Sequence, residues 1–114
     1  MAEQTRTILI AGDLAAIGCP ERLLAKGDVE RVFGDVLPVI RTADCFIVNL
    51  ECPLTTRTER AVKAGPRMRA DPHVGPALKK AGISIASLAN NHIFDYGLDG
   101  FRQIQSALES NSIR

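Results

Sequence analysis

Three apolar runs punctuate the chain, and each closes on polar residues. "TILIAGD" (7–13) is uninterrupted until Gly12 and Asp13, the pattern of a parallel strand buried on both faces. "DCFIVNLE" (44–51) repeats that pattern and ends with Asn49 and Glu51, two apart and so on one side of a continuing strand. "ISIASLA" (83–89), β-branched at its start, leads straight into Asn90, Asn91 and His92. The segments between follow helical spacing. "LAAIGCPERLLAKGD" reads as a loop with a helical piece around 23–25, and Val32, Phe33, Val36, Leu37 and Ile40 predict a helix that Pro38 shortens or kinks. Over 71–82, Asp71 is the N-cap, Pro72 the first helical residue and Gly82 the terminator of another helix. "GLDGFRQIQSALES" (97–110) places Leu98, Phe101, Ile104 and Leu108 on one face of a final helix. Residues 52–71, rich in Thr, Arg, Pro and Gly, read as a long loop, and such loops in compact domains are more often functional than idle.

The order is therefore β–α–β–loop–α–β–α, an α/β chain with a parallel three-stranded sheet flanked by helices and joined by right-handed crossovers. In such sheets the ligand crevice lies beyond the carboxyl ends of the strands. All three strand ends are polar here: Asp13, Asn49 with Glu51, and Asn90–Asn91–His92.

Composition narrows the function classes. At 114 residues the chain holds one domain and one core. A net charge of +1 and few aromatics give no case for nucleic acid or an anionic membrane surface. Cys19, Cys45 and Cys52 form no C-x-x-C pair, which favours free thiols in a reducing compartment. The start "MAEQTRT" resembles neither a signal peptide nor an anchor, so the chain as given reads as cytoplasmic, with no membrane segment.

Asp, Glu, Asn and His at converging strand ends are oxygen and imidazole ligands suited to Mn²⁺, Mg²⁺, Fe or Zn²⁺. Two such metals about 3.5–4 Å apart can clamp a phosphoryl oxygen, and a neighbouring His can protonate the leaving oxygen. Plainer roles fit each residue taken alone. Asp13 can be a turn residue, Asn90 and Asn91 are good turn formers, and His92 can be a hydrogen-bonded structural histidine. Asp95 either caps the final helix or supports the site. His73 reads as exposed, and Arg67 and Arg69 as a solvated edge within reach of an anionic substrate. Cys52 adjoins Glu51 with nothing to mark it as a nucleophile. "GDLAAIG" lacks the dinucleotide and P-loop patterns, and no G-x-S-x-G elbow is present.

"AGD" after the first strand, "NLECPLT" at 49–55, "MRADP…ALKKAGIS" and "ANNHIFDYGLDGF" at 89–101 together resemble the CapA family of bacterial capsule (poly-γ-glutamate) synthesis proteins, whose fold is similar to the calcineurin-like metallophosphoesterases. The resemblance runs from about residue 8 to residue 113. It implies a single metallophosphoesterase-like domain of which residues 1–114 are the N-terminal portion, with a site for one or two divalent metals. It also implies roles residue by residue: Asp13, Glu51 and Asn91 as metal ligands and His92 as the catalytic imidazole. Asn49, Asn90, Asp95 and Arg69 would then support the site or contact substrate.

Two departures stand out. Ala15 occupies the position where many phosphoesterases carry a further His, and the family's later histidines have no counterpart in this sequence. The expected function is thus capsule or poly-γ-glutamate synthesis by a metal-dependent, phosphoesterase-like hydrolase acting on an anionic small molecule or polymer. The alternative is a non-catalytic module that binds a partner or polyanion. Self-association through an exposed sheet edge is also expected.

Overall fold

The structure is a computed structural model that describes residues 2–114. Its order is β1 (Ile8–Leu14), α1 (Cys19–Ala25), α2 (Val29–Phe33), α3 (Leu37–Thr42), β2 (Cys45–Leu50), α4 (Gly75–Ala81), β3 (Ile85–Ser87) and α5 (Gly97–Ser110), with 3-10 turns at Gly34–Val36 and Pro72–Val74. The sheet is parallel, in the order β1-β2-β3. Arg114 extends it at the β3 edge, donating to the Ser84 carbonyl (3.0 Å) and accepting from the Ala86 amide (2.7 Å).

Local chemistry explains how the elements differ from their expected bounds. Pro38 does not kink one helix but starts another. It sits in the first turn of α3, where its missing N–H costs nothing, and Gly34 at φ 51° turns the chain between α2 and α3. Asp71 caps as expected, accepting from the His73 amide at 2.9 Å, but the first turn is 3-10 and α4 begins at Gly75. Gly82 ends α4 in the left-handed region at φ 107°.

The sheet departs from the expectation of strands buried on both faces. Along β2, Phe46, Val48 and Leu50 are buried while Cys45, Ile47 and Asn49 are only half-buried. The buried side joins Leu24, Val29, Ile40, Leu78 and Ile104 in one core. On the other side Ile8 and Ile10 of the edge strand β1 are 61% and 72% exposed, in register with Cys45 and Ile47. On α5 the expected stripe holds for Ile104 and Leu108, but Leu98 is exposed and Phe101 only partly covered. Among the described residues no helix is long and apolar enough to cross a membrane.

One irregularity positions the site. β1 and β2 run in step to Ile10↔Ile47, then slip by one residue so that Asp13 stands opposite Asn49. The extra residue is a bulge at 11–12, and it moves Asp13 off the side that strict alternation would give it.

Candidate functional site

The three strand ends meet through side-chain hydrogen bonds. The Asn49 amide donates to Asp13 Oδ1 (2.7 Å), and the Asn90 amide donates to Asn49 Oδ1 (3.1 Å) and the Leu50 carbonyl (3.0 Å). Asn90 Oδ1 in turn accepts from the His92 backbone N–H (3.0 Å), fixing the turn that follows β3. One uninterrupted chain of polar contacts thus runs from Asp13 to His92.

His92 is buried, and its two ring nitrogens face different partners. Nδ1 lies 2.7 Å from Asp95 Oδ2, whereas Nε2 points toward Glu51 Oε1 at 4.0 Å. Asp95 is fully buried and does not cap α5, whose first turn carries no side-chain cap. Its carboxylate accepts from the Met68 amide (2.8 Å) and ion-pairs with Lys63. Burial alone pushes the Asp95 carboxyl up, but the bonds from Lys63, His92 and Met68 outweigh it and hold the group below the usual range. Since that carboxylate only accepts, the proton between it and His92 belongs on Nδ1, which leaves Nε2 as the edge facing Glu51.

The remaining residues fall into two groups. Glu51 is half-buried, and its backbone N–H extends the ladder to the Leu14 carbonyl (3.0 Å). Asn91 is exposed, with its carbonyl accepting from Lys63 (3.2 Å). Asp13 is exposed at the rim. Arg69 turns elsewhere, donating to the Thr56 and Arg57 carbonyls and standing 5.4 Å from the Tyr96 ring centre. Arg67 is no solvated edge: its guanidinium donates to the carbonyls of Ala61 (3.0 Å), Lys63 (2.7 Å) and Gly65 (3.3 Å), knitting the loop together. His73 is exposed, as expected, beside Asp71. Cys52 is buried and its thiol is pushed up to about 11 by that burial, so it is no nucleophile at neutral pH. Lys63 is the site residue that pattern reading missed, because nothing in a polar loop 29 residues before His92 marks it.

As a cation site the donors fit in kind, hard carboxylate and amide oxygens beside an imidazole, but are few. Among the described residues no three His, Cys, Asp or Glu side chains converge as a metal-holding group.

The sequence profile of the family described as bacterial capsule synthesis protein PGA_cap matches residues 7–114. The chain belongs to that family. Its similarity to the CapA proteins is direct: it is 24% identical over 106 residues to the capsule biosynthesis protein CapA of Bacillus anthracis, covering 90% of this chain and 26% of that protein. A probable polyglutamine synthesis accessory protein of Mycobacterium tuberculosis is 32% identical over 84 residues, covering 72% of this chain and 22% of its own length. An uncharacterized protein, y4sH, of Sinorhizobium fredii is 30% identical over 112 residues, 94% of this chain and 23% of that one. The chain therefore spans about a quarter of the length of these relatives.

Proposed function

We propose that this PGA_cap chain carries one wall of a divalent-metal phosphoesterase site that serves capsule or poly-γ-glutamate synthesis. The observation that carries the reading is the convergence of all three strand ends on His92, with Asp95 behind its Nδ1 and Glu51 facing its Nε2. Asp13, Glu51 and Asn91 would hold the cation, whose contribution when bound would be Lewis acidity toward an anionic phosphoryl group.

The chain's own residues would do the rest. Asp95, ionised and fully enclosed, fixes the imidazole and stabilises its protonated form. Protonated His92 then delivers its proton from Nε2 to the leaving oxygen, while Asn49 and Asn90 hold Asp13 and the 90–92 turn in register. The preferred substrate class is a phosphoester on an anionic molecule.

The test uses the 114-residue protein with Mn²⁺ and an aryl phosphodiester. Turnover that disappears in Glu51→Ala is the expected result, and turnover that survives it overturns the assignment. A second reading, a non-catalytic module that binds a partner or polyanion, is favoured by the small number of converging acidic and imidazole ligands. No calorimetric heat with Mn²⁺, Mg²⁺ or Zn²⁺ at millimolar protein would decide for it.

A further inference from the structure

We propose that Lys63 is the positioning residue of this site, a latch that closes the 61–68 loop over the Nδ1 side of His92 and fixes the ring with Nε2 toward Glu51. The assignment rests on the reading of His92 as the acid; the latch itself rests on geometry alone.

Lys63 Nζ touches three groups of the 91–95 turn at once. It donates to the Asn91 carbonyl (3.2 Å), pairs with Asp95 and lies 3.3 Å from His92 Nδ1. Asp95 binds the loop at both ends. Its backbone carbonyl accepts from the Ala61 amide (2.8 Å), and its carboxylate accepts from the Met68 amide (2.8 Å). Between those anchors the loop is closed internally by the three carbonyl contacts of Arg67. The loop is therefore a preformed unit seated on one buried carboxylate, and Lys63 is its one side chain that reaches the histidine's partners. Asp95 Oδ1 is ion-paired with Lys63 and receives no hydrogen bond from any other group among the described residues.

This arrangement has a mechanical result. The imidazole cannot rotate about its bond to Cβ without breaking the Asp95 contact, and Asp95 cannot turn while Lys63 and the Met68 amide hold its two oxygens. Lys63 thereby acts on catalysis through Asp95 and the Asn91 carbonyl, without contact to the reacting atoms. A misplacement of the acid by about 1 Å costs on the order of 100-fold in rate, so a loosened ring lowers kcat while leaving substrate affinity alone.

The decisive measurement is acylation of His92 by diethyl pyrocarbonate, followed by mass spectrometry, with exposed His73 as the internal reference. Removing one charge-assisted bond raises local opening about tenfold or more, so Lys63→Gln should speed His92 modification by about that factor relative to His73, and Lys63→Arg should restore protection. In the wild type, acetylation by an activated ester should reach Lys63 well after Lys26, an arm that needs no variant to fold. Where the wild type turns over phosphodiester, Lys63→Gln should lower kcat by about 10- to 100-fold with KM and Mn²⁺ affinity within about twofold. An unchanged His92 modification rate in Lys63→Gln, or Lys63 as reactive as Lys26, overturns the latch. Absence of Mn²⁺ binding and turnover in the wild type overturns the proposed function instead, and the acylation arms still decide the role of Lys63.

Discussion

Replacing Asp95 by Asn tests the centre of the site with almost no change of shape. The carboxylate is fully enclosed and serves three donors: Lys63, His92 Nδ1 and the Met68 amide. With its oxygen at the Oδ2 position, an amide of the same size keeps the bonds from His92 and Met68 without the charge, but it turns an N–H₂ toward Lys63, so the ion pair is lost. Removing the carboxylate charge from this buried pair costs about 4 kcal/mol. Urea unfolding at pH 7 reads it directly: with m at about 2 kcal/mol/M, the midpoint should fall by about 2 M at unchanged m. The pH dependence supplies a second check. Because the folded-state pKa of Asp95 is depressed, its stabilisation is present above the ordinary carboxylate range and is lost as pH falls through the folded value. The gap between wild type and variant should therefore close below about pH 4. A midpoint shift under about 0.5 M at pH 7, or a gap that persists in acid, would refute the argument that Asp95 is an ionised, three-way acceptor.

Three further outcomes are expected. Gly100→Ala should destabilise the fold by about 1–3 kcal/mol in the same urea assay, since the added Cβ would lie 2.8 Å from Tyr96 Cβ in the first turn of α5. Ellman's reagent at pH 8 should label exposed Cys19 quickly and leave Cys52 silent until the protein unfolds, because burial holds that thiol near 11. Ile10→Lys should change stability by no more than about 0.5 kcal/mol, the side chain being 72% exposed, while abolishing concentration-dependent association in sedimentation velocity. A wild type that stays monomeric would show that the open isoleucine face does not pair with itself.

The strands, their parallel order and the polar character of their ends were all legible from runs such as "CFIVNL" and "ISIAS", because apolar periodicity records burial directly. The helical start at Pro72 and the Gly82 stop were legible for a similar reason, since these residues act through their own backbone, whereas Pro38, which reads as an interruption, starts α3. What escaped were features that depend on two distant segments at once. Ile8 and Ile10 look like core residues, and only the packing of every helix against the opposite face leaves them in water. Asp95 satisfied the pattern of a helix cap equally well, and what decided its role was Lys63 and Met68 arriving from a loop with no periodicity. Of the adjacent asparagines, the one bonded into the strand-end network is Asn90, a distinction set by the turn geometry and invisible in the string "NNH".

The bulge before Asp13 uncouples two kinds of information that share one strand. Without it, the phase of the apolar alternation in β1 would dictate on which side the terminal aspartate emerges, and any drift in the greasy half would be felt in the polar half. With one residue of slack, Ile8–Ile10 answers only to the sheet and Asp13 only to Asn49. The slack does not depend on the glycine itself, since a Cβ at Gly12 meets no atom within 4 Å and its backbone is not left-handed. Deletion of residue 12 would leave the aspartate two residues after Ile10, in step with Asn49 on an unbroken alternation, so the carboxylate would keep its partner without the bulge, and substitution at Gly12 would also leave it in place.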